Sequence, residues 1–332
     1  MLNSICKGSL KKVKDNTLVD GYSRNHLKKM FGANTNVRIK GTSDEFDHLV
    51  LEYFKGVSIS GVQKKSFMRL EKGFLIPSKQ GEYIVKPTPK GFPYLSENEH
   101  VIMKIAEAVS LKVAQCSLVA FEDGEYAYVT KRFDLTAKAN IKIFVEDGAS
   151  ICQVAPKNKG SDALSYETCI KKMVKACRGS QLVALTGLKL VLFSYLVGNN
   201  DLHLKNFAFY RKPNSRDHFM QSFTPFYDLL CVAPYPEYDF EYLSLSLLET
   251  ETEGEFSPSY NKYGYYTFED FLLLAKGLGL KNSAAKQFII KLVNDVTKKA
   301  PELIRNSLCP EEHKLIIQKR INERCRAMQI GQ

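Results

Sequence analysis

The segment Asn199–Phe207 carries residue types at a spacing that suits phosphoryl transfer. Asp201 and Asn206 stand five positions apart in it, directly after a long apolar stretch. Phosphoryl-transfer loops of the protein-kinase kind have an Asp that accepts the proton of the substrate hydroxyl and, at this spacing, an Asn that holds Mg²⁺. The spacing therefore predicts Asp201 as a catalytic base and Asn206 as a metal ligand.

A plain helix-terminating turn is the competing interpretation of the same segment. Gly198–Asn200 consists of residue types that commonly end a helix, so its two asparagines need no catalytic role. That interpretation leaves four polar residues without an explanation. They are Asp201, His203, Lys205 and Asn206.

A phosphate-binding turn is predicted at Ser58–Ser66, between two extended segments. Its Gly61 lets the backbone approach a phosphate closely, and Lys64 and Lys65 add positive charge. The segment is not a Walker A sequence, and it lacks the repeated glycines of ordinary protein kinases. A polar hairpin turn explains the same residues, so this prediction depends on the rest of the site.

Lys86 is the candidate cation for nucleotide phosphates, because it ends the apolar strand segment Tyr83–Val85. The helix that follows carries Glu99, which can form with Lys86 the lysine–glutamate ion pair of active kinases. Ser96 and Glu99 also have the spacing of a capping box at the start of that helix. The two roles of Glu99 are compatible with each other.

Asp228 is the candidate second metal ligand, beside Asn206. It follows the apolar segment Pro225–Tyr227, which predicts a buried strand that ends in a carboxylate. An isolated charge in such a place is costly, and Mg²⁺ would supply a partner. An ordinary turn Asp after a strand is the alternative.

The elements predicted around these residues are strands first and helices later. Strands are predicted at 57–61, Ser66–Leu70, Glu82–Pro87, Ser117–Phe121 and Tyr126–Arg132, with one helix at Ser96–Val109. Helices follow at Ser165–Ala176, Ser180–Val197, Phe268–Gly277, Ser283–Lys299 and Pro310–Met328, with short strands at Phe207–Tyr210 and Thr224–Tyr227. This order predicts an α+β protein with the two-lobed protein-kinase-like fold, a β-rich N-lobe followed by an α-helical C-lobe.

Three regions are predicted along the chain. Residues 1–55 form a basic N-terminal segment, residues 56–134 an N-lobe with the phosphate loop and the ATP lysine, and residues 135–332 a helical C-lobe with the catalytic loop. Residues 131–134 are the predicted hinge. In the first region, Asp44–Phe54 is predicted as a short helix with Ser43 as its N-cap.

Composition restricts the possible partners and location. The net charge of +11 suits nucleotide phosphates, nucleic acid or an acidic protein, but no zinc finger or RNA-binding signature accompanies it, so direct DNA binding is not expected. The eight cysteines form no C-x-x-C pair and are predicted to be reduced. No apolar run is long enough for a bilayer, which predicts a cytoplasmic protein without membrane contact.

The motifs together resemble those of the HipA-like serine/threonine kinase toxins of bacterial toxin–antitoxin systems. The resemblance covers roughly residues 56–330. It is carried, in chain order, by Ser58–Lys65, Ile84–Pro87, Glu97–His100, Lys131–Asp134, Gly198–Phe207 and Phe226–Asp228. The chain is most similar to the short HipT branch, because only about fifty residues precede the Ser58–Ser60 motif and Val232–Tyr238 also looks HipT-like.

The resemblance implies a role for each matching position. Asp201 would be the catalytic base, and Asn206 and Asp228 would bind Mg²⁺. Ser58 and Ser60 would be autophosphorylated. The residues implied in ATP binding are Ser60, Gly61, Val62, Gln63, Lys64, Lys65, Lys86, Glu99, Lys131, Arg132, Phe133, His203, Leu204, Lys205, Asn206, Tyr227 and Asp228. The family's usual hinge Glu is Lys131 here, so adenine contacts through backbone groups would be kept and a contact through the Glu side chain would be lost.

The resemblance also implies partners. The substrate would be an aminoacyl-tRNA synthetase, with tryptophanyl-tRNA synthetase favoured. A small antitoxin protein would supply the missing N-terminal domain, and a DNA-binding antitoxin is a further candidate partner. Two other functions stay open from the residues alone. One is a small-molecule kinase of the aminoglycoside type, and the other is a catalytically dead binding module.

Overall fold

The computed structural model describes residues 3–46, 48, 64–135, 142–161, 163–213 and 215–332. The chain divides into two compact units. The first contains Met1–Lys104, Ala114–Phe133 and Glu302–Lys314, and the second contains Ile105–Val113, Asp134–Pro301 and Leu315–Gln332. Within the described ranges, no helix is both long and apolar enough to span a membrane.

The first part of the chain is rich in strands. Its elements are β1 (Asn3–Ile5), β2 (Lys12–Lys14), β3 (Leu18–Val19), β4 (Tyr22–Ser23), α1 (Arg24–Phe31), β5 (Arg38–Ile39), β6 (Ser66–Glu71), β7 (Phe74–Pro77), β8 (Tyr83–Pro87), α2 (Leu95–Ala108), β9 (Cys116–Ala120) and β10 (Tyr126–Lys131). A six-stranded sheet has the order β5-β7-β6-β8-β10-β9. Its pairs are antiparallel except β5 with β7.

The core of the first unit explains why residues from the N-terminal region fold with the sheet. Leu27 and Met30 of α1 belong to the same buried apolar cluster as Met68, Val85 and Val129 of the sheet. Apolar side chains on one helix face and on one side of a sheet must be covered by each other to leave water. Residues 3–46 are therefore part of the first unit, and β5 is one of its sheet strands.

The second part of the chain is mainly helical. Its elements are β11 (Phe144–Asp147), α3 (Gly148–Ile151), α4 (Tyr166–Ala176), α5 (Gln181–Val197), β12 (Ala208–Arg211), β13 (Ser222–Phe223), α6 (Pro258–Tyr263), α7 (Phe268–Gly277), α8 (Asn282–Asn306) and α9 (Glu311–Ala327). Strands β11, β12 and β13 form a small antiparallel sheet. Helix α5 is buried along most of its length, as expected for an apolar helix inside a core.

Most predicted elements are confirmed where the structure describes them. The strands β6, β8, β9, β10 and β12 and the helices α2, α4, α5, α7, α8 and α9 fall where the pattern placed them. The predicted strand at 57–61 and most of the predicted helix at Asp44–Phe54 lie outside the described residues. Strand β7, helices α1, α3 and α6, and the N-terminal strands were not predicted.

Two local predictions were wrong. Ser96 is not an N-cap, since α2 already begins at Leu95. The Ser96 hydroxyl instead donates to the carbonyl of Lys86 and accepts from the Thr88 hydroxyl. Thr224–Tyr227 is not a strand, because the ladder of β13 ends at Phe223 and Phe226 makes only an isolated bridge to Val113.

Candidate functional site

The loop after α5 is the centre of the candidate site in the second unit. Helix α5 ends at Gly198, whose φ of +71° is the left-handed conformation that favours glycine. The side chain of Asn199 then accepts a hydrogen bond from the backbone N–H of Asp201 at 3.2 Å. The chain therefore turns sharply between the helix and Asp201, and the turn is fixed by its own side chains.

Asn206 closes this loop on Asp201. Its side-chain Nδ2 donates to the carbonyl of Asp201 at 3.0 Å, and the Asn206 side chain is buried. The backbone N–H of His203 also donates to the Asp201 carbonyl, at 2.8 Å. The five-residue spacing recognised in the sequence thus corresponds to one closed loop, with Asp201 itself exposed at its start.

Two tyrosine hydroxyls, one buried and one partly buried, and one backbone contact hold the loop from outside. The Tyr166 hydroxyl donates to the Leu202 carbonyl at 2.7 Å, and the Tyr227 hydroxyl donates to the Lys205 carbonyl at 2.9 Å. The N–H of Leu204 donates to the Lys159 carbonyl at 3.0 Å. Burial raises the pKa of Tyr166 well above its ordinary value, so this hydroxyl remains a donor.

Asn206 and Asp228 have the donor chemistry that Mg²⁺ requires. Nδ2 of Asn206 is used within the loop, and an amide oxygen such as that of Asn206 is a ligand that Mg²⁺ accepts. Asp228 has a φ of +62°, a left-handed conformation that is uncommon for a residue with a side chain. Such strain is frequently found at functional sites, which fits the predicted role of Asp228.

His203 connects these residues electrostatically. Burial lowers the pKa of His203 below its ordinary value, although the carboxylates of Asp201 and Asp228 act in the opposite direction. Lys159 lies against the same ring, with its Nζ 2.5 Å from Nε2 of His203. Asp201 and Asp228 are thus both near enough to His203 to act on its pKa, while Asn206 is joined to the loop by its bond to the Asp201 carbonyl.

The first unit holds a second polar centre at Lys86. Lys86 lies near the end of β8, and its Nζ contacts Oε1 and Oε2 of Glu99 in α2 at 2.9 and 3.2 Å. The two side chains are 11% and 1% exposed, so this is a buried ion pair rather than a surface one. The predicted lysine–glutamate pair is present, and its ammonium also lies 5.5 Å from the centre of the Tyr128 ring.

The predicted hinge continues β10 in the first unit. The backbone N–H of Lys131 donates to the Gln115 carbonyl, and that of Arg132 donates to the Glu82 carbonyl. The Arg132 guanidinium lies 4.4 Å from the centre of the Phe67 ring and donates to the Gly81 carbonyl. These two N–H groups are already used, so any adenine contact by Lys131 or Arg132 must come from other groups.

The predicted phosphate loop lies mostly outside the described residues. This applies to Ser58, Ser60, Gly61, Val62 and Gln63. Lys64 and Lys65 are described, and both are exposed where the chain enters β6.

Sequence reasoning missed Lys159 and Tyr166. Both residues contact the loop Asn199–Phe207 from positions 36 or more residues earlier in the chain. Tyr166 is the first residue of α4, and nothing in the local pattern linked its hydroxyl to Leu202. Lys159 lies in a polar turn, and nothing in the local pattern set it apart from Lys157.

The fold and the two polar centres define a kinase-like α+β protein. A solved structure with the same fold is the HipA toxin of Shewanella oneidensis in its complex with HipB and operator DNA. It matches with a TM-score of 0.65 and 21% identity, over 82% of this chain and 65% of that chain. The fold class predicted from the order of elements is thereby confirmed.

The chain belongs to the HipA-like family. The family model described as HipA-like C-terminal domain matches residues 57–300. A Haemophilus influenzae protein named "Putative kinase" is 30% identical over 325 residues, which is 93% of each chain. The serine/threonine-protein kinase toxin HipA of Shewanella oneidensis is 26% identical over 248 residues, 68% of this chain and 54% of that protein. The predicted family is confirmed, whereas the short HipT branch stays a prediction.

Proposed function

We propose that this chain is an ATP- and Mg²⁺-dependent serine/threonine protein kinase that acts as a HipA-type toxin. The observation that carries the proposal is the closed loop in which Asn206 binds back to Asp201 while Asp228 influences the same buried His203. A base and two oxygen ligands in one place are what phosphoryl transfer needs and a plain turn does not. Membership in a family whose relatives are named as kinases supports the same conclusion.

In the proposed reaction each residue has one task. Asp201, exposed at the start of the loop, accepts the proton of a serine or threonine hydroxyl. The hydroxyl oxygen bonds to the γ-phosphorus of ATP, and the bond from that phosphorus to the bridging oxygen breaks, so that ADP leaves. Lys86, oriented by Glu99, holds nucleotide phosphates. Asn206 and Asp228 would hold Mg²⁺, which neutralises charge on the phosphate oxygens. The other residues that the resemblance assigns to ATP remain proposals of the same kind.

The proposed protein substrate is an aminoacyl-tRNA synthetase, with tryptophanyl-tRNA synthetase favoured. The proposed partners are a small antitoxin protein and a DNA-binding antitoxin. The solved complex of the Shewanella oneidensis HipA with HipB and operator DNA gives a precedent for the second partner. A net charge of +11 favours association with an acidic protein surface, and a cytoplasmic location would give access to synthetases.

A radiolabelling experiment tests the proposed activity. The protein is incubated with Mg²⁺ and γ-labelled ATP, alone and with a bacterial lysate, beside the variant Asp201→Asn. We expect label on the protein itself and on a synthetase band identified by mass spectrometry, and a loss of at least about a thousandfold in Asp201→Asn. Because Asp201 is exposed, the melting temperature should stay unchanged.

The same experiment distinguishes the alternatives. Label transfer only to an added aminoglycoside would replace the proposal with a small-molecule kinase. No transfer to any acceptor, with wild type and Asp201→Asn behaving alike, would leave a binding module.

Autophosphorylation at Ser58 or Ser60 is proposed to silence the enzyme. A phosphate adds up to about −2 charge near the proposed phosphate loop and would repel ATP. Ser58→Ala/Ser60→Ala protein should therefore keep its ATP affinity and toxicity after prolonged incubation with Mg-ATP, while wild type loses both. Equal ATP affinity and toxicity of the phosphorylated and the double-Ala proteins would contradict this role.

A further inference from the structure

Lys159 contacts the catalytic loop through both its backbone and its side chain. Its carbonyl accepts the N–H of Leu204 at 3.0 Å, and its Nζ lies 2.5 Å from Nε2 of His203. The two bonds meet successive residues of the loop, between the base Asp201 and the ligand Asn206.

The polar turn that carries Lys159 fits closely against the loop. Backbone hydrogen bonds from Asn158 to Ala155 and from Ser161 to Asn158 fix the turn. At Gly160, an added Cβ would lie 3.1 Å from the Ser244 Oγ and 3.6 Å from the His203 Cβ. The backbone of this turn is therefore held in place, and it fixes the point from which the Lys159 side chain extends to His203.

The chemistry of this contact determines the state of the His203 ring. An ammonium group has three donors and no acceptor, so Nε2 of His203 must be the acceptor and cannot carry a proton. The neutral imidazole then has its proton on Nδ1. Nδ1 of His203 is buried and has no hydrogen-bond partner among the residues that the structure describes, so it is a donor that a bound acceptor would satisfy.

We propose that Lys159 is a positioning residue that holds His203 as the neutral Nδ1–H tautomer, so that its buried N–H donates to a ligand oxygen beside Asp201. This inference rests on the proposed function, in which that oxygen belongs to a nucleotide phosphate. Lys159 would then act on the bound nucleotide only through His203, by setting the tautomer of the ring. This tautomer also gives His203 a donor role that an imidazole with the proton on Nε2 could not fulfil.

The tautomer of His203 can be measured without reference to activity. Two-bond ¹H–¹⁵N spectra of histidine-labelled protein show six imidazoles, of which His203 is identified by His203→Gln. We expect a neutral Nδ1–H ring in wild type and in Lys159→Arg, and a ring protonated on Nε2 in Lys159→Met. Lys157→Met is the matched control, because Lys157 is an exposed lysine of the same turn.

Kinetics of autophosphorylation provide the second measurement. Lys159→Met should lower kcat/KM for ATP by about 10- to 100-fold, the effect of one lost hydrogen bond to a charged group. Lys159→Arg should restore most of this loss, and Lys157→Met should match wild type. The backbone bond to Leu204 is retained in all of these variants, and equal melting temperatures would show that the loop stays folded.

The outcomes separate this inference from the proposed function. An Nε2-protonated or charged His203 in wild type, or an unchanged tautomer in Lys159→Met, would overturn the inference even in an active kinase. A changed tautomer with unchanged kcat/KM would overturn the positioning role. A wild-type protein that transfers no phosphate would instead refute the kinase proposal, and the spectra would still decide the state of His203.

Discussion

The Lys86–Glu99 ion pair is buried, so removing one partner has a different effect from removing both. Lys86→Met takes the cation away from a carboxylate that is 1% exposed. A buried carboxylate that loses the lysine of its ion pair lowers the free energy of unfolding by about 3 kcal/mol, whereas replacing both charges by neutral groups lowers it far less. We therefore expect Lys86→Met to unfold at lower urea concentration than wild type, and Lys86→Met/Glu99→Gln to recover most of the difference.

The surface pair of Lys90 and Asp44 provides the control for this cycle. Lys90 and Asp44 are 96% and 85% exposed and 3.6 Å apart, so Lys90→Met should change stability by less than about 0.5 kcal/mol. Phosphoryl transfer should be lost in both Lys86 variants, because neither retains the cation. If the double variant were no more stable than Lys86→Met, the ion pair would not be the cause of the loss.

At the scale of elements, the end of α5 determines where the proposed catalytic loop begins. Gly198 has a φ of +71°, and an added Cβ would lie 2.7 Å from Cγ of Arg320, which pairs with Asp239. Gly198→Ala should therefore lose about 1 kcal/mol from backbone strain and more from displacing Arg320. We expect a lower melting temperature together with a lower kcat.

Gly279→Ala isolates the backbone part of that effect. Gly279 has a φ of +72°, and an added Cβ would meet nothing within 4 Å. It should lose only the strain of about 1 kcal/mol and keep wild-type activity. Equal stability of Gly198→Ala and Gly279→Ala would show that Arg320 simply moves aside.

Local sequence patterns predicted most helices and strands because capping residues and apolar periodicity within each segment determine where these elements begin and end. Helix α4 begins after the N-cap Ser165, whose side chain accepts the N–H of Thr168, and α5 ends at Gly198. Ser96 was misassigned because its hydroxyl bonds to Lys86 and Thr88, which lie outside the helix and outside any local window. The Thr224–Tyr227 error has a related origin, since an apolar segment can be buried without pairing in a sheet.

At the scale of the whole molecule, the order of polar residues along the chain carried more information than their local context. Lys86, Glu99, Asp201 and Asn206 were recognisable because phosphoryl transfer needs them in a known order, and the Lys86–Glu99 and Asp201–Asn206 contacts are present. Lys159 could not be recognised, because its contact with His203 spans 44 residues and depends on a turn conformation. Long-range contacts of single polar side chains are decided by packing, which one sequence does not reveal.

The free energy of unfolding should also change with pH, because the carboxyl group of Glu97, which lies outside the candidate site, titrates differently in the folded and unfolded protein. Glu97 lies in the first turn of α2 and is 7% exposed, and its Oε2 has no hydrogen-bond partner within the described ranges. Burial, with a smaller contribution from the charge of Glu125, raises the pKa of Glu97 to about 7 from an ordinary value of 4.5. The folded protein therefore binds this proton more tightly than the unfolded chain does, and the stability from Glu97 falls as pH rises from about 4.5 to about 7.

Glu97→Gln keeps the shape of the side chain and removes its titration. The variant should gain about 2 to 3 kcal/mol more stability relative to wild type at pH 8 than at pH 5, as measured by urea unfolding. His100 is buried with a pKa well below its ordinary value, so its protonation destabilises the folded protein as pH falls, opposite to the effect of Glu97. Because His100 is present in both proteins, the difference between their free energies of unfolding isolates the effect of Glu97.

The exposed Glu82 provides the control. Glu82→Gln should differ from wild type by the same free energy of unfolding at both pH values. If the free energies of unfolding of wild type and Glu97→Gln differed by the same amount at pH 5 and pH 8, Glu97 would have its ordinary pKa in the folded protein.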